Sequence, residues 1–155
     1  MEPVTKLLLA ANCVLLLHFF EEFGWTGGFP WMGMKVLMVY VLPLCLPGVR
    51  FLTLAAMMFL FAEVLMHWVA FPVRLKAFYN AGMATAVGCG VIACCYFFGG
   101  VFEAGSFFWY DYVLAVVWFI VNFVFFFRSK LYWNLGKKPG YALTEQSAFG
   151  VGHED

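Results

Sequence analysis

Long apolar runs divide this chain, and short polar or glycine- and proline-rich segments separate them. Five runs can be traced, at residues 4–24, 33–46, 50–71, 78–98 and 107–127. A helix needs about 20 mostly apolar residues to cross a bilayer, and four of the five runs reach that length. The pattern therefore predicts an all-α integral membrane bundle of about five transmembrane helices.

The second run is the exception, because it is short and contains Pro43. Proline removes a backbone donor and kinks or ends a helix, so this segment is either a thin, kinked span or a re-entrant hairpin. After the fifth run the chain becomes polar. The expected organisation is a helical bundle over residues 1–130 and a polar C-terminal tail over residues 131–155.

Composition supports a membrane location and excludes one class of partner. The chain is 65% hydrophobic and 12% charged, whereas soluble domains are about half apolar and a quarter charged. Its nine acidic and nine basic residues give no net charge, so no basic field exists to bind nucleic acid. The expected partners are the lipid bilayer and, through helix faces rich in the 20 phenylalanines, other membrane subunits.

The distribution of basic residues predicts an orientation, since cytoplasmic loops carry an excess of Lys and Arg. With five spans, seven bases lie on one side of the membrane: Lys35, Arg74, Lys76, Arg128, Lys130, Lys137 and Lys138. Lys6 and Arg50 lie on the other side. The count favours an outside N-terminus and a cytoplasmic C-terminus, provided that the second segment spans the membrane.

Acids and histidines inside the first and third runs are the candidate functional residues. A charged residue at the centre of a spanning helix costs about 2.5–3.5 kcal/mol on the insertion scale, so such residues have partners or a function. His18 precedes Glu21 and Glu22 by three and four residues, and Glu63 precedes His67 by four. Each set lies on one helix face, which is how helices present metal ligands.

The depth of these residues strengthens the prediction of a single cluster. At 1.5 Å of rise per residue, the polar sets of the first and third helices both lie near the helix ends. Alternate spans run in the same direction, so both sets approach the same side of the membrane. Asn80, at the start of the fourth helix, and Asn122, in the second half of the fifth, belong to the same layer as supporting polar residues.

Three interpretations of the cluster stay open at the level of sequence. In the first, a metal site is formed by His18, Glu21, Glu22, Glu63 and His67, and it holds zinc or a pair of irons. In the second, the same groups form a proton relay or an ion-binding site, as acid and histidine chains do in membranes. In the third, they hydrogen-bond one another and only lock the bundle together.

Two segments also resemble a known family. His18-Phe19-Phe20-Glu21-Glu22 resembles the signature of the HXXEE family, a group of small polytopic membrane proteins named for this motif. The segment from Tyr79 to Ala86 looks like a second family segment, usually Tyr-Asn-Pro-Gly followed by Thr-Ala, although Ala81 replaces the proline here. The resemblance covers about residues 10–130 and carries no settled activity. It implies a common site for the following residues: His18, Glu21, Glu22, His67 and Asn80.

These observations favour a small polytopic membrane protein with a His/Glu metal site inside the bundle and with zinc or iron as the cofactor. A membrane metalloenzyme that acts on an apolar substrate is one use of such a site, with a spare carboxylate as general base. The alternative is a non-catalytic accessory subunit of a larger membrane complex, in which the polar cluster is structural.

Overall fold

Helices form all the regular secondary structure in the described part of the chain. The structure is a computed structural model that describes residues 2–23, 35–76, 78–80 and 82–128, without the side chains of Glu22, Phe23, Arg74, Leu75 and 126–128. No strand occurs in these ranges, so the all-α class is confirmed for them. Residues 24–34, which lie mostly between the first two apolar runs, and the predicted tail, 131–155, lie outside the described residues.

Five helices follow one another within the described residues. They are α1 (Pro3–Phe23), α2 (35–45), α3 (50–75), α4 (Met83–Phe98) and α5 (Trp109–Arg128). α2 contains a π-helical turn, Leu37–Val41, followed by Leu42–Cys45. A short 3-10 turn, Ala104–Ser106, precedes α5.

α3 continues past Pro72, where the sequence pattern predicts its end. Its first part, Arg50–Leu65, leads into the π-helical turn Met66–Ala70 and then into Phe71–Leu75, which has Pro72 in its first turn. In the π turn the backbone bonds span five residues, as from Phe71 N–H to the Met66 carbonyl, so the N–H that Pro72 lacks would have bonded to the His67 carbonyl, which accepts from the Asn80 side chain instead. The local change of helix type therefore lets the helix continue through the proline.

α4 begins at Met83 and not at residue 78, where the apolar run begins. The preceding Gly82 has a φ of 87°, a left-handed conformation that glycine adopts without a steric penalty. Asn80 is also non-helical and donates a hydrogen bond from its side chain to the backbone carbonyl of His67 at 2.8 Å. These residues connect α3 to α4 through a turn that is tied to α3.

α3 is the central helix of the bundle. It contacts α4 and α5, while α1 packs on α4 and α2 packs on both α1 and α3. Phe59 of α3 meets Phe119 of α5 with ring centroids 4.6 Å apart. α1 and α4 approach closely at Gly88, where an added Cβ would lie 2.9 Å from Val14 Cγ1. Small residues permit this kind of close helix packing.

The outer surface of the bundle is apolar, whereas several polar residues are buried. Exposed Leu, Val, Ile and aromatic side chains follow the outward faces of α1, α3 and α5. The buried polar and charged residues are His18, Lys35, Thr53, Glu63, His67, Asn80, Asp111 and Asn122. Among the residues that the structure describes, two helical segments are long and apolar enough to cross a membrane, Pro3–Glu21 and Arg50–Val73. Met83–Phe98 and Trp109–Phe125 are apolar but shorter.

Candidate metal centre

The structure brings together His18 of α1 and Glu63 and His67 of α3. One potential ligand atom from each residue lies within 4.8 Å of the other two. The two imidazole rings meet edge to face, with centroids 4.7 Å apart. All three residues are buried, at 0%, 6% and 1% exposure respectively. We refer to these three residues as the His/Glu cluster.

The ring of His67 is oriented by Asn80. The Asn80 amide nitrogen donates to the His67 carbonyl oxygen at 2.8 Å, and the Asn80 Oδ1 lies 2.7 Å from His67 Nδ1. An amide oxygen can only accept, so His67 Nδ1 carries the proton in this arrangement. The lone pair of the neutral ring is then on Nε2.

The ring of His18 is oriented in the same way, by a longer chain of hydrogen bonds. Thr85 Oγ1 donates to Glu21 Oε2 at 2.5 Å, and His18 Nδ1 lies 3.0 Å from the same hydroxyl. Because a hydroxyl has only one proton, Thr85 accepts from His18 Nδ1–H when it donates to Glu21. The lone pair of His18 is therefore also on Nε2, and Nε2 lies 3.9 Å from Glu63 Oε2.

Glu63 is held through its other carboxylate oxygen. Lys35 of α2 is 1% exposed, and its Nζ donates to Glu63 Oε1 in a buried ion pair. The ammonium group also lies over the rings of Phe19 and Phe59, 5.2 and 5.9 Å from their centroids, which adds cation–π attraction. Glu63 Oε2 is thus directed towards His18 while Oε1 is directed towards Lys35.

Apolar rings and a glycine close the site. The rings of Phe19 and Phe71 pack against His18 and His67, with centroid distances of 5.5 and 4.9 Å. A Cβ added at Gly82 would lie 2.7 Å from His67 Cε1 and 2.9 Å from His18 Cε1. The turn before α4 therefore covers both imidazoles at a distance that only a glycine permits.

The remaining residues predicted from the sequence take different positions. Glu21 is half-buried and bonds to Thr85 through its side-chain hydroxyl and backbone N–H, so it reaches the cluster indirectly. The side chain of Glu22 lies outside the described residues. Asn80 contacts His67 directly, whereas Asn122 donates to the carbonyl of Trp118 in its own helix at 2.9 Å.

Sequence reasoning missed Lys35, Thr85 and Tyr79. In the count of bases Lys35 was placed on the cytoplasmic side, and the structure shows in addition that it is buried and paired with Glu63. Only its position at the start of an apolar run gave a signal, and that position is equally typical of a membrane-flanking lysine. Thr85 and Tyr79 lie in the second family-like segment, which marked both positions without indicating what they contact.

Tyr79 connects the site to the surface. It is 60% exposed and donates from its hydroxyl to Glu21 Oε1 at 2.9 Å. This hydrogen bond is the main reason why the pKa of Tyr79 is raised above its ordinary value, with a smaller contribution from burial. A continuous series of hydrogen bonds therefore joins Tyr79, Glu21, Thr85 and His18.

Comparison of the chain with protein-family models, with curated proteins and with solved structures found no match. The resemblance to the HXXEE family therefore stays a prediction from the two sequence segments. The function has to be argued from the geometry of the His/Glu cluster and its surroundings.

Proposed function

We propose that this protein is a multi-pass membrane protein that binds one zinc or iron ion through His18 Nε2, His67 Nε2 and Glu63 Oε2. The observation that carries the proposal is that the second polar atom of each of these three side chains, the one that would not bind the ion, contacts another polar side chain. His18 Nδ1 meets Thr85, His67 Nδ1 meets Asn80, and Glu63 Oε1 meets Lys35. Metal-binding residues are commonly oriented by such second contacts.

The donor set fits a catalytic metal better than a structural one. Two histidines and one carboxylate bind zinc in metallopeptidases and iron in non-haem oxygenases, and both kinds of site keep a position open for water or substrate. Structural zinc sites usually have four protein ligands. With three described donors, a single ion is supported rather than the pair of irons that five predicted ligands would hold.

The charges around the site would make a bound ion a strong polarising group. A divalent cation together with the carboxylates of Glu63 and Glu21 and the ammonium group of Lys35 leaves one net positive charge. In surroundings made by Phe19 and Phe71, little water is present to screen that charge. The ion would supply Lewis acidity to an oxygen atom in the open position. We therefore propose a metalloenzyme that acts on an apolar substrate that enters from the bilayer.

The membrane assignment rests on the distribution of polarity. The cluster and its neighbours are buried, while the outward faces of three helices are apolar, a pattern that is rare in monomeric soluble proteins. We extend the two candidate spans to a multi-pass bundle that contains all five helices. Without Lys35, six predicted cytoplasmic bases still oppose Lys6 and Arg50, so an outside N-terminus and a cytoplasmic C-terminus remain our proposal.

Element analysis tests the metal site directly. Protein purified without chelators should contain close to one zinc or iron ion per chain, and His18→Ala or His67→Ala should contain almost none. The matched control is His153→Ala, which changes the third histidine of the sequence and should keep the metal. Wild-type protein that stays metal-free after incubation with zinc and with ferrous iron would contradict the proposal.

Lys35 favours a second candidate function, an accessory subunit in which the cluster is a structural lock. A buried ammonium group already neutralises Glu63, so the site is balanced in charge without an ion. In that case the apolar outer faces would serve to contact neighbouring membrane subunits. The element analysis separates the two candidates, because a lock requires no metal.

A further inference from the structure

A cavity of about 260 Å³ lies at the end of the bundle opposite the His/Glu cluster. Its wall includes Leu8 of α1, which precedes His18 by ten residues, or about 15 Å along the helix. The first residues of α1 and α3 and the last residues of α2 and α4 surround it. We refer to it as the N-terminal cavity.

Two largely buried residues present hydroxyl groups to this cavity. Thr53 and Tyr96 line the cavity and are 6% and 2% exposed. Within the ranges that the structure describes, neither side-chain hydroxyl makes a hydrogen bond. A hydroxyl that makes no hydrogen bond to the protein is free to donate to a ligand and to accept from it. These hydroxyls are therefore suited to a polar ligand that enters the cavity.

Two opposite charges line the same cavity. Arg50 and Glu2 are both exposed side chains at its wall, and neither is ion-paired within the described part of the chain. Arg50 begins the 16-residue segment Arg50–Leu65, whose N-cap residue, Val49, makes no side-chain cap hydrogen bond. The partial positive charge of a helix N-terminus adds to the guanidinium group in attracting an anion.

We propose that the N-terminal cavity binds the headgroup of a zwitterionic phospholipid with a primary ammonium group, its phosphate on Arg50 and its ammonium group on Glu2. Guanidinium binds phosphate through paired hydrogen bonds, and a carboxylate accepts from an ammonium group. The volume lies just below the roughly 300–1,000 Å³ of drug-sized ligand pockets, so it accommodates a headgroup and not an entire lipid. Leu8 and Phe107 supply apolar wall for the start of the acyl chains.

A ligand series tests the chemistry of the headgroup. Full-length protein in detergent micelles is titrated with short-chain phosphatidylethanolamine, phosphatidylcholine and phosphatidylglycerol and with free phosphoethanolamine, and binding is measured by calorimetry. Phosphatidylethanolamine should bind about tenfold more tightly than phosphatidylglycerol, the ratio expected from one charge-assisted hydrogen bond. Phosphatidylcholine should be weaker than phosphatidylethanolamine, because a quaternary ammonium group donates no hydrogen bond.

Two variants test which side chain binds the ammonium group and which binds the phosphate. Glu2→Gln should remove the preference for phosphatidylethanolamine over phosphatidylglycerol, whereas Arg50→Gln should weaken the binding of both by about tenfold. Glu103→Gln is the matched control, since Glu103 is an exposed acid at the same end of the bundle that does not line the cavity. It should leave the affinities and their ratio unchanged.

Three results would overturn the proposal. They are equal binding of phosphatidylethanolamine and phosphatidylglycerol, a preference that survives in Glu2→Gln, and free phosphoethanolamine that binds as tightly as the lipid. The last result would assign the cavity to a soluble zwitterion. Glu2 is exposed at the start of the chain, so its substitution tests the proposal without a risk to folding. Metal content plays no part in these measurements, and they stand independently of the proposed metal site.

Discussion

The two polar regions at opposite ends of this bundle differ in how their polar atoms are satisfied. In the His/Glu cluster, the hydroxyl of Thr85 and the amide of Asn80 hold the imidazoles. In the N-terminal cavity, the hydroxyls of Thr53 and Tyr96 have no described partner. In the first region the second contacts hold the three potential ligands in place, which preorganises them for an ion, while in the second region the hydroxyls face the cavity and are available to a ligand. Substitutions should therefore be costly in the first region and mild in the second.

The largest effect is expected from separating the buried ion pair. Lys35→Met or Glu63→Leu alone leaves one charge buried without its partner, and each should lower the free energy of unfolding by about 3–5 kcal/mol. The double variant should recover most of this loss, because replacing a buried pair by apolar residues is often neutral. Arg50→Gln in the cavity should change stability by less than about 0.5 kcal/mol. Equal losses in the single and double variants, measured by denaturant titration in micelles, would contradict this.

A smaller loss is expected at the turn that covers the imidazoles. Gly82→Ala combines a φ of 87° with a Cβ only 2.7 Å from His67 Cε1. It should cost about 2–4 kcal/mol, from left-handed backbone strain and overpacking together. It should also weaken metal binding. Gly100→Ala is the control, since Gly100 has a φ of 79° but no atom within 4 Å of its added Cβ, so it isolates the strain at about 1–2 kcal/mol. Equal losses of stability in Gly82→Ala and Gly100→Ala would contradict a close contact between the turn and the two imidazole rings.

Two threonine substitutions compare the ends of the molecule most closely. Thr85→Val removes the hydroxyl between His18 and Glu21 and should cost about 1–3 kcal/mol, with a 10–100-fold loss of metal affinity. Thr85→Ser should restore both. Thr53→Val removes a hydroxyl that has no described partner, so stability should be unchanged or slightly raised. Calorimetric metal titrations and unfolding curves on the three variants provide the check, and a Thr53→Val variant as unstable as Thr85→Val would remove the distinction.

The smallest effect is expected at the surface end of the hydrogen-bond series. Tyr79→Phe should change stability by no more than about 0.5 kcal/mol, because Tyr79 is 60% exposed and surface changes are usually of this size. Because the pKa of Tyr79 is raised, the stabilisation by its hydrogen bond to Glu21 depends on pH. It is fully present below the ordinary tyrosine pKa and is lost as the pH rises through the raised value. The stabilities of wild type and Tyr79→Phe should therefore converge at high pH; a constant difference would argue against the Glu21 contact.

Sequence periodicity predicted the parts of this molecule that depend on one helix at a time. Glu63 and His67 share a face because they are four residues apart, and their placement near His18 followed from depth alone. The helical class followed from the length of the apolar runs. Both inferences use regular geometry, and regular geometry was kept through most of α1 and α3.

Features that depend on contacts between helices were not predictable. Lys35 and Glu63 are 28 residues apart, and no local spacing indicates that they pair. The continuation of α3 through Pro72 depends on a π-helical turn that apolar periodicity does not reveal. The late start of α4 depends on Asn80 reaching the His67 carbonyl. These features depend on contacts or helix geometry that the local pattern of a single sequence does not reveal.

The ligand set of the metal is the most direct test of the account. X-ray absorption at the metal edge, on protein loaded with one equivalent of zinc or iron, reports the atoms bound to the ion. We expect two imidazole nitrogens and at least one oxygen at about 2.0–2.2 Å, with the imidazole signal halved in His18→Ala protein that is forced to bind at high metal concentration. A spectrum dominated by sulfur ligands, or one unaffected by His18→Ala, would contradict the assignment to His18, Glu63 and His67.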